Sequence, residues 1–547
     1  MINTRTEDEN KNEPIFEIKN NILIGKELKY PEKCNNIGEI VFEIFKSKPD
    51  FIGQIEAACG RRATYKEMLE KSVKCATWLR KKGIKPGDTV AVCCSSYFDD
   101  YVPFLACLYI GAPCAIEYQN LPARSFRHFL STTRPKLIFL HNSDIKTFTT
   151  AQKELNINVR KVVFDEWSGE EESFNEILST STTSEVEKFR CEQIVNPKAL
   201  ALLLGTSGST GLPKMAELSH LSLKTLIDPA YIDYALNLST CMCAASMRWI
   251  IYFLSFFIAV RGNLTRIIAE DKREITYYYN IIKKYRVELY FADSSQMKEM
   301  YKFGLIENFQ GTDLKCILFG GSPISRDIHR MLIDQLPRIN IFQAYGSTDA
   351  ANIISAQKRG CKPGSCGYVR PGTKIKITCR ETGCALGPNK EGEICIMSPA
   401  QLNGYFNNLE ATSKAIDSEG WLHMNDIGYY DEDGELFIIG RVSDFINYKD
   451  TCLSVSEMEA VLDMHPAVCK SAVIPISSET DGELPIAIVK KLPDKQVTEH
   501  DLLSYFANNM PDFYTLKYVK FVNDFPVTNT GKIAKNELQQ TLCQEFM

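Results

Sequence analysis

No stretch of this 547-residue chain is both long and apolar enough to span a bilayer as a helix. The longest apolar run, WIIYFLSFFIAV at 249–260, lies between Arg248 and Arg261. At ~1.5 Å per residue it reaches ~18 Å against a hydrocarbon core of ~30 Å, so a buried helix is expected. Neither sign of charge dominates: 63 Lys and Arg against 68 Asp and Glu leave −5. That balance supplies no footprint for nucleic acid and no basic arm for an anionic membrane. A disulfide framework is missing too, because the 19 cysteines are odd in number and scattered. The first thirty residues are polar and charged, unlike a secretory signal, so free thiols in an intracellular compartment are expected. Internal repeats are absent, and the one biased tract is a Ser/Thr/Glu-rich loop at 168–187. With 44% hydrophobic and 24% charged residues, collagen-like, coiled-coil and disordered readings are excluded. One cysteine set, Cys361, Cys366, Cys379 and Cys384, has zinc-like spacing. The glycines and prolines around it favour ordinary turns.

What is present is an alternation of helix and strand. Thr64 and Glu67 form a capping box ahead of an apolar stripe at Met68, Leu69, Val73, Ala76 and Leu79, and Gly83 ends it. Short buried-strand patterns follow: TVAVCC (89–94), KLIFL (136–140), ALALLLG (199–205), VELYFAD (287–293) and KCILFGG (315–321). Apolar strands separated by helices imply crossover connections and mostly parallel sheets. DEDGELFIIG (431–440) reads as a hairpin. Beyond it, helices starting at Ser456 and Thr498 bracket the strands KSAVIPI (470–476) and PIAIVKK (485–491). The expected organisation is a flexible leader at 1–35, a large α/β domain at 36–440 with mostly parallel sheets flanked by helices, and a smaller mobile α+β domain at 441–547.

The most informative segment is LLLGTSGSTGLPK at 202–214. A buried strand runs into glycines that let backbone N–H groups close around phosphate oxygens, hydroxyls that add donors, and a lysine that neutralises charge. A Walker loop is excluded, since Lys214 follows Pro213 rather than a glycine.

TSGSTGLPK resembles the phosphate loop of the adenylate-forming superfamily: acyl-CoA synthetases, 4-coumarate–CoA ligases, beetle luciferases and peptide-synthetase adenylation domains. Four further segments resemble that family's motifs in order: LFGGSP (318–323), QAYGSTD (343–349), GWLHMNDIGYYDEDGELFIIGRVSD (420–444) and PVTNTGKIAKNEL (526–538). GYFNNLEAT (404–412) fits the luciferase and coumarate-ligase branch. The resemblance covers essentially the whole chain. It implies an acid–thiol ligase using ATP, Mg²⁺ and coenzyme A. A small-molecule carboxylate attacks the α-phosphorus, pyrophosphate leaves, and the thiol takes the acyl group.

Carried over by position, Thr206, Ser207, Gly208, Ser209, Thr210, Gly211 and Lys214 would hold the departing phosphates. Gly321, Ser322 and Tyr345 would border adenine, Gly346 would belong to the same nucleotide-binding set, and Thr348 would bond the α-phosphate. Asp349 stands where the family has a magnesium-linked glutamate. Asp426 would accept the ribose hydroxyls with help from Arg441, and Lys532 would bridge the carboxylate and the α-phosphate. Taken singly, Asp426 reads as a turn cap, Arg441 as a linker charge and Lys532 as a solvated lysine; order and spacing lift them together.

Several positions depart from the pattern. Met215 follows the loop lysine where glycine is usual, Asp349 shortens a glutamate by one methylene, and Met424 and Asn425 replace Thr-Gly before Asp426. On the acyl side Arg248 replaces histidine and Trp249 replaces glycine. Arg248 is thus read either as a counter-ion to a substrate carboxylate or as part of an unrelated ion pair. After the hinge at Ser443, Asn447 stands for lysine and Asp450 for glycine, in the stretch that serves thioester formation. The readings left open are a working acyl-CoA ligase, an enzyme that adenylates but transfers poorly to coenzyme A, and a non-catalytic paralogue that binds nucleotide or acyl ligand. No protein partner is evident. The chain ends CQEFM rather than in a Ser-Lys-Leu-type address. A cytoplasmic location is therefore expected, with peroxisomal entry as the alternative.

Overall fold

The computed structural model describes residues 16–28, 34–94, 98–165, 172–180, 182–206, 213–228, 237–270, 275–322, 324–448, 451–478, 482–511, 514–527 and 533–546. Two of its four sheets are built by crossovers. The seven-stranded sheet runs Lys214–Ser219, Leu200–Thr206, Cys114–Glu117, Val90–Cys93, Leu137–Leu140, Arg160–Val163, Glu172–Ser173. Its neighbours are parallel except for the first pair. The nine-stranded sheet has a parallel centre made of Asn340–Ser347, Cys316–Gly320, Leu289–Asp293, Thr240–Cys243, Thr265–Ile268 and Ile52–Glu56. Antiparallel strands close both of its ends.

Between these sheets lies the main core. Helix Tyr101–Ile110 is buried along its whole length, and helix Ile250–Gly262 from Tyr252 to Val260. They meet through Phe104 and Phe253, with ring centroids 4.8 Å apart. A helix apolar on every side belongs inside a large core, which accounts for the run at 249–260. Among the described residues, no helix is long and apolar enough to cross a membrane. Thr64 caps helix Tyr65–Lys81 through a complete capping box with Glu67.

A third, six-stranded sheet is wholly antiparallel: Phe16–Lys19, Ile22–Gly25, Lys374–Thr378, Gly392–Met397, Leu422–Tyr430, Leu436–Arg441. Here the fold departs from the expected flexible leader. Residues 16–25 form a hairpin, and Ile22–Ile24 pair with Lys374–Lys376. The alternation in FEIK and ILIG is a strand pattern too short to stand out from a polar context. Residues 172–188 depart as well. The supposed loop holds helices Phe174–Ser179 and Thr183–Lys188, each opened by a capping box, at Ser173/Glu176 and Thr182/Glu185. Ser, Thr and Glu were helix punctuation there.

After Arg441 a single 3₁₀ turn, Val442–Asp444, leads to strand Phe445–Tyr448 of a fourth sheet. That sheet is dominated by the long hairpin Val468–Ser478/Gly482–Lys491, with Tyr518–Val522 added in parallel. Helices Val455–Met464, Glu499–Asn509 and Lys535–Phe546 accompany it. The first is capped by Ser454, two residues before the expected Ser456, while Thr498 caps the second as expected. Lys302, at the end of helix Ser294–Lys302, donates to the carbonyls of Val468 and Cys469 at 2.7 and 2.8 Å.

Candidate active site

Strands from three sheets converge on one region. Strand Leu200–Thr206 and strand Lys214–Ser219 are antiparallel neighbours, with Thr206 directly opposite Lys214. They anchor both ends of the glycine- and serine-rich segment. Ser207, Gly208, Ser209, Thr210 and Gly211 themselves lie outside the described residues, as do Lys532, Asp450 and the side chains of Ser443 and Asn447.

Parallel pairing of Cys316–Gly320 with Asn340–Ser347 sets Gly320 beside Ala344. This brings the turn at Gly321 and Ser322 next to Tyr345. Gly321 has φ +89°, which a glycine adopts without strain. At Gly346 a Cβ would collide with the Asn352 carbonyl of the neighbouring strand. Thr348 follows in the turn that ends this strand, its carbonyl accepting from Ala351 N–H at 3.0 Å.

Tyr345 reaches across to Asp426, donating its hydroxyl to Oδ2 at 2.5 Å. Burial, and then the Asp426 carboxylate, hold the Tyr345 phenol well above its usual range. Asp426 and Arg441 are register partners on adjacent strands, and Arg441 Nε lies 3.4 Å from Asp426 Oδ1. A carboxylate offers about four acceptor sites in all, which suits it to paired hydroxyl donors such as those of a sugar.

A bulge frees Asp426 from strand Gly392–Met397 while it stays paired with Arg441 on the other side. Cys395 pairs with His423 and Glu393 with Ile427, so Met424, Asn425 and Asp426 together face the single residue Ile394. Asn425 takes φ +55°. Its position is the one where the resembling family has glycine, and asparagine is among the few other residues that accept the left-handed region. The departure at Asn425 is therefore conservative in backbone terms.

Asp349 is the second carboxylate of the region. Its Oδ1 is buried and lacks a hydrogen-bond partner among the described residues. Burial pushes its pKa up to about 6, while the Tyr405 hydroxyl, Arg441 and Lys214 pull against that rise. An orphaned, shielded carboxylate oxygen suits a cation, so the residues fit the magnesium ion expected at this position. Lys214 Nζ lies 4.9 Å from the centre of the Tyr405 ring, and Ala216 bridges to Tyr405 through the backbone. Tyr405 is the residue that sequence reasoning missed. It sits in GYFNNLEAT, but nothing in the sequence shows that this segment pairs with strand Lys214–Ser219. Met215, in the same strand, is buried and packs away from solvent.

Arg248 takes the second of its two readings. Its Nε donates to Glu117 Oε1 at 2.7 Å, Nη1 donates to the Gly205 carbonyl, and both ionic side chains are buried. The guanidinium charge is already balanced, so Arg248 is not a free counter-ion for substrate. Its centre lies 5.8 Å from the Tyr118 ring. Trp249 is half-buried and opens helix Ile250–Gly262. Glu117 was invisible as a partner because 131 residues separate it from Arg248.

Cys361, Cys366, Cys379 and Cys384 are free thiols, and they are absent from the one metal-capable cluster among the described residues.

Comparison with known proteins identifies the class. The AMP-binding enzyme family matches residues 45–406, and the AMP-binding enzyme C-terminal domain matches residues 457–532. The chain belongs to the AMP-binding, adenylate-forming enzymes. It is similar to luciferin 4-monooxygenase of Nipponoluciola cruciata, 28% identical over 538 residues, covering 95% of this chain and 97% of that protein. It is equally similar to 4-coumarate–CoA ligase 3 of Arabidopsis thaliana, 28% identical over 515 residues, covering 92% and 90%. Among solved structures, ATP-bound MatB from Rhodopseudomonas palustris shares the fold with a TM-score of 0.81 at 22% identity, covering 94% of this chain and 100% of that one.

Proposed function

We propose that this protein activates a small carboxylic acid with ATP and then transfers the acyl group to coenzyme A. A carboxylate oxygen forms a bond to the α-phosphorus, the bond to the β-phosphate oxygen breaks, and pyrophosphate departs. The thiol sulfur of coenzyme A then attacks the acyl carbon, and AMP leaves.

The observation that carries this reading is the convergence of Tyr345, Asp426, Arg441, Asp349 and Lys214 from separate strands onto one region. Two anions must meet in the first step, so cations and donors are needed where negative charge accumulates. Lys214 and Arg441 supply positive charge, and residues 207–211 would add donors for the phosphates, as the resemblance implies. Asp426, steered by Tyr345 and Arg441, would orient the ribose. Gly321, Ser322 and Gly346 would flank adenine, and Thr348 would reach the α-phosphate. Asp349 would hold magnesium, which neutralises phosphate charge when bound. Lys532 would bring the carboxylate to the α-phosphate from the carboxy-terminal unit, 441–547, moving against 36–440 about the turn at Val442–Asp444.

A second reading, adenylation with poor transfer to coenzyme A, is favoured by Asn447 and Asp450. An aspartate in place of glycine adds bulk and charge where the backbone must approach the thiol arm. One experiment separates the readings: pyrophosphate release from Mg·ATP with aliphatic, aromatic and dicarboxylic acids, with and without coenzyme A, for wild type and Lys532→Ala. Acid-dependent release, lowered at least tenfold by Lys532→Ala, is expected. Acceleration by coenzyme A supports the ligase, and its absence supports the second reading. Silence across the panel with ATP still bound would leave a non-catalytic nucleotide binder.

A further inference from the structure

Outside the nucleotide region, three side chains of different chemistry meet on the antiparallel sheet. Cys395 and His423 are direct cross-strand partners on Gly392–Met397 and Leu422–Tyr430. Glu393 lies two residues before Cys395 and so shares its face. One ligand atom from each lies within 4.8 Å of the other two. His423 Nδ1 is 3.1 Å from Glu393 Oε2 and 3.5 Å from Cys395 Sγ.

We propose that Glu393, Cys395 and His423 form a zinc-binding site. With Zn–N and Zn–O near 2.1 Å and Zn–S near 2.3 Å, tetrahedral geometry needs N···O of about 3.4 Å and N···S of about 3.6 Å. The two separations from Nδ1 already match those edges to within a few tenths of an ångström. The other imidazole nitrogen, Nε2, faces Asp417 Oδ2 at 3.7 Å. A carboxylate there is the usual means of fixing a ligating histidine's tautomer and orientation. Thr378 Oγ1, 3.6 Å from Cys395 Sγ, places a hydroxyl beside the sulfur. Sulfur with imidazole and one carboxylate selects a borderline-soft divalent ion over magnesium or calcium. His423, 31% exposed, gives the ion a way in to the buried cysteine.

The location gives the site a role. Cys395 and His423 pair on one side of the bulge at Met424–Asp426, and Glu393 pairs with Ile427 on the other. A single ion held by all three would clamp both flanks of the segment that presents Asp426.

The test uses the full-length, tag-free protein titrated with Zn²⁺ against a competing chromophoric chelator. Wild type is expected to hold one equivalent. Cys395→Ser and His423→Gln should each weaken it at least a hundredfold, and Asp417→Asn about tenfold. Cys384→Ser, removing an exposed thiol, should change nothing. Co²⁺ in place of zinc should give thiolate-to-cobalt charge-transfer absorption in wild type that Cys395→Ser lacks. Should Cys395→Ser fail to fold, His423→Gln at its partly exposed position and the wild-type cobalt spectrum decide. Absence of tight zinc in wild type, or equal affinity in wild type and His423→Gln, overturns the proposal.

Discussion

The Tyr345 hydroxyl is bonded to Asp426 Oδ2 at 2.5 Å, although 81 residues separate the two and they belong to different sheets. That bond joins the mixed nine-stranded sheet to the antiparallel six-stranded one at the carboxylate proposed to hold ribose. Tyr345→Phe deletes the donor and keeps the ring. It is expected to cost about 1.5–3 kcal/mol, the scale for a hydrogen bond to a charged group. Denaturant unfolding measures the loss, and isothermal titration with ATP should show weaker binding. Unchanged stability and affinity together would mean that the bond positions nothing.

Asn425 at φ +55° gives a prediction about backbone alone. Asn425→Gly is expected to be close to neutral, whereas Asn425→Val should destabilise by about 1–2 kcal/mol, the penalty for a side chain held in the left-handed region. ATP affinity should follow the same order, since the bulge carries Asp426. Equal stability of the two variants would contradict the assigned conformation.

The buried pair Arg248–Glu117 predicts non-additivity. Removing one partner strands the other charge in the core, so Arg248→Met and Glu117→Gln should each cost about 3–5 kcal/mol. The double variant should recover at least half of the summed loss. Gly205→Ala is expected to destabilise as well, because its Cβ would collide with the Arg248 guanidinium. Strict additivity in the cycle would rule out the pair as an energetic unit.

Two buried histidines set an acid limit. Burial pushes the pKa values of His220 and His329 down from 6.5 to about 4. Between those values the unfolded chain binds more protons than the folded one, so stability falls as pH drops from 6.5 towards 4. Each histidine contributes at most about 3 kcal/mol to that fall. His329 Nδ1 accepts from Gly364 N–H at 3.0 Å, a bond whose acceptor a glutamine carbonyl can replace. His329→Gln should therefore flatten the pH dependence of unfolding in this window without shifting it at pH 8. An unchanged slope would show that the imidazole titrates freely.

Much of this was legible in the sequence because the relevant signals are local. Strands such as Leu137–Leu140 and Cys316–Gly320 announce themselves as uninterrupted apolar runs. The motif segments lie in family order, so the sequence alone carries the candidate residues. What failed was pairing at a distance. Residues 16–25 gave no sign of joining Lys374–Thr378, and Arg248 gave no sign of Glu117. Tyr405 sat in a quoted segment without its relation to Asp349 and Lys214 being visible. Cys361, Cys366, Cys379 and Cys384 carry the metal-like spacing in one dimension, whereas Cys395 stands alone in the sequence. Sheet register, rather than spacing, is what put Cys395 opposite a histidine.

The turn at Val442–Asp444 is all that separates Arg441, the last paired residue of one sheet, from Phe445, the first of the next. Coiled as a 3₁₀ turn at about 2 Å per residue, these three residues reach only ~6 Å. The carboxy-terminal sheet hangs from the six-stranded one on a short arm rather than a tether. A rotation of it would concentrate in a handful of dihedral angles beside Arg441 and its cross-strand partner Asp426, and would have to release Lys302 from the Val468 and Cys469 carbonyls. Were that unit to turn, the strand end that holds the carboxylate would be the nearest part of the six-stranded sheet to feel it.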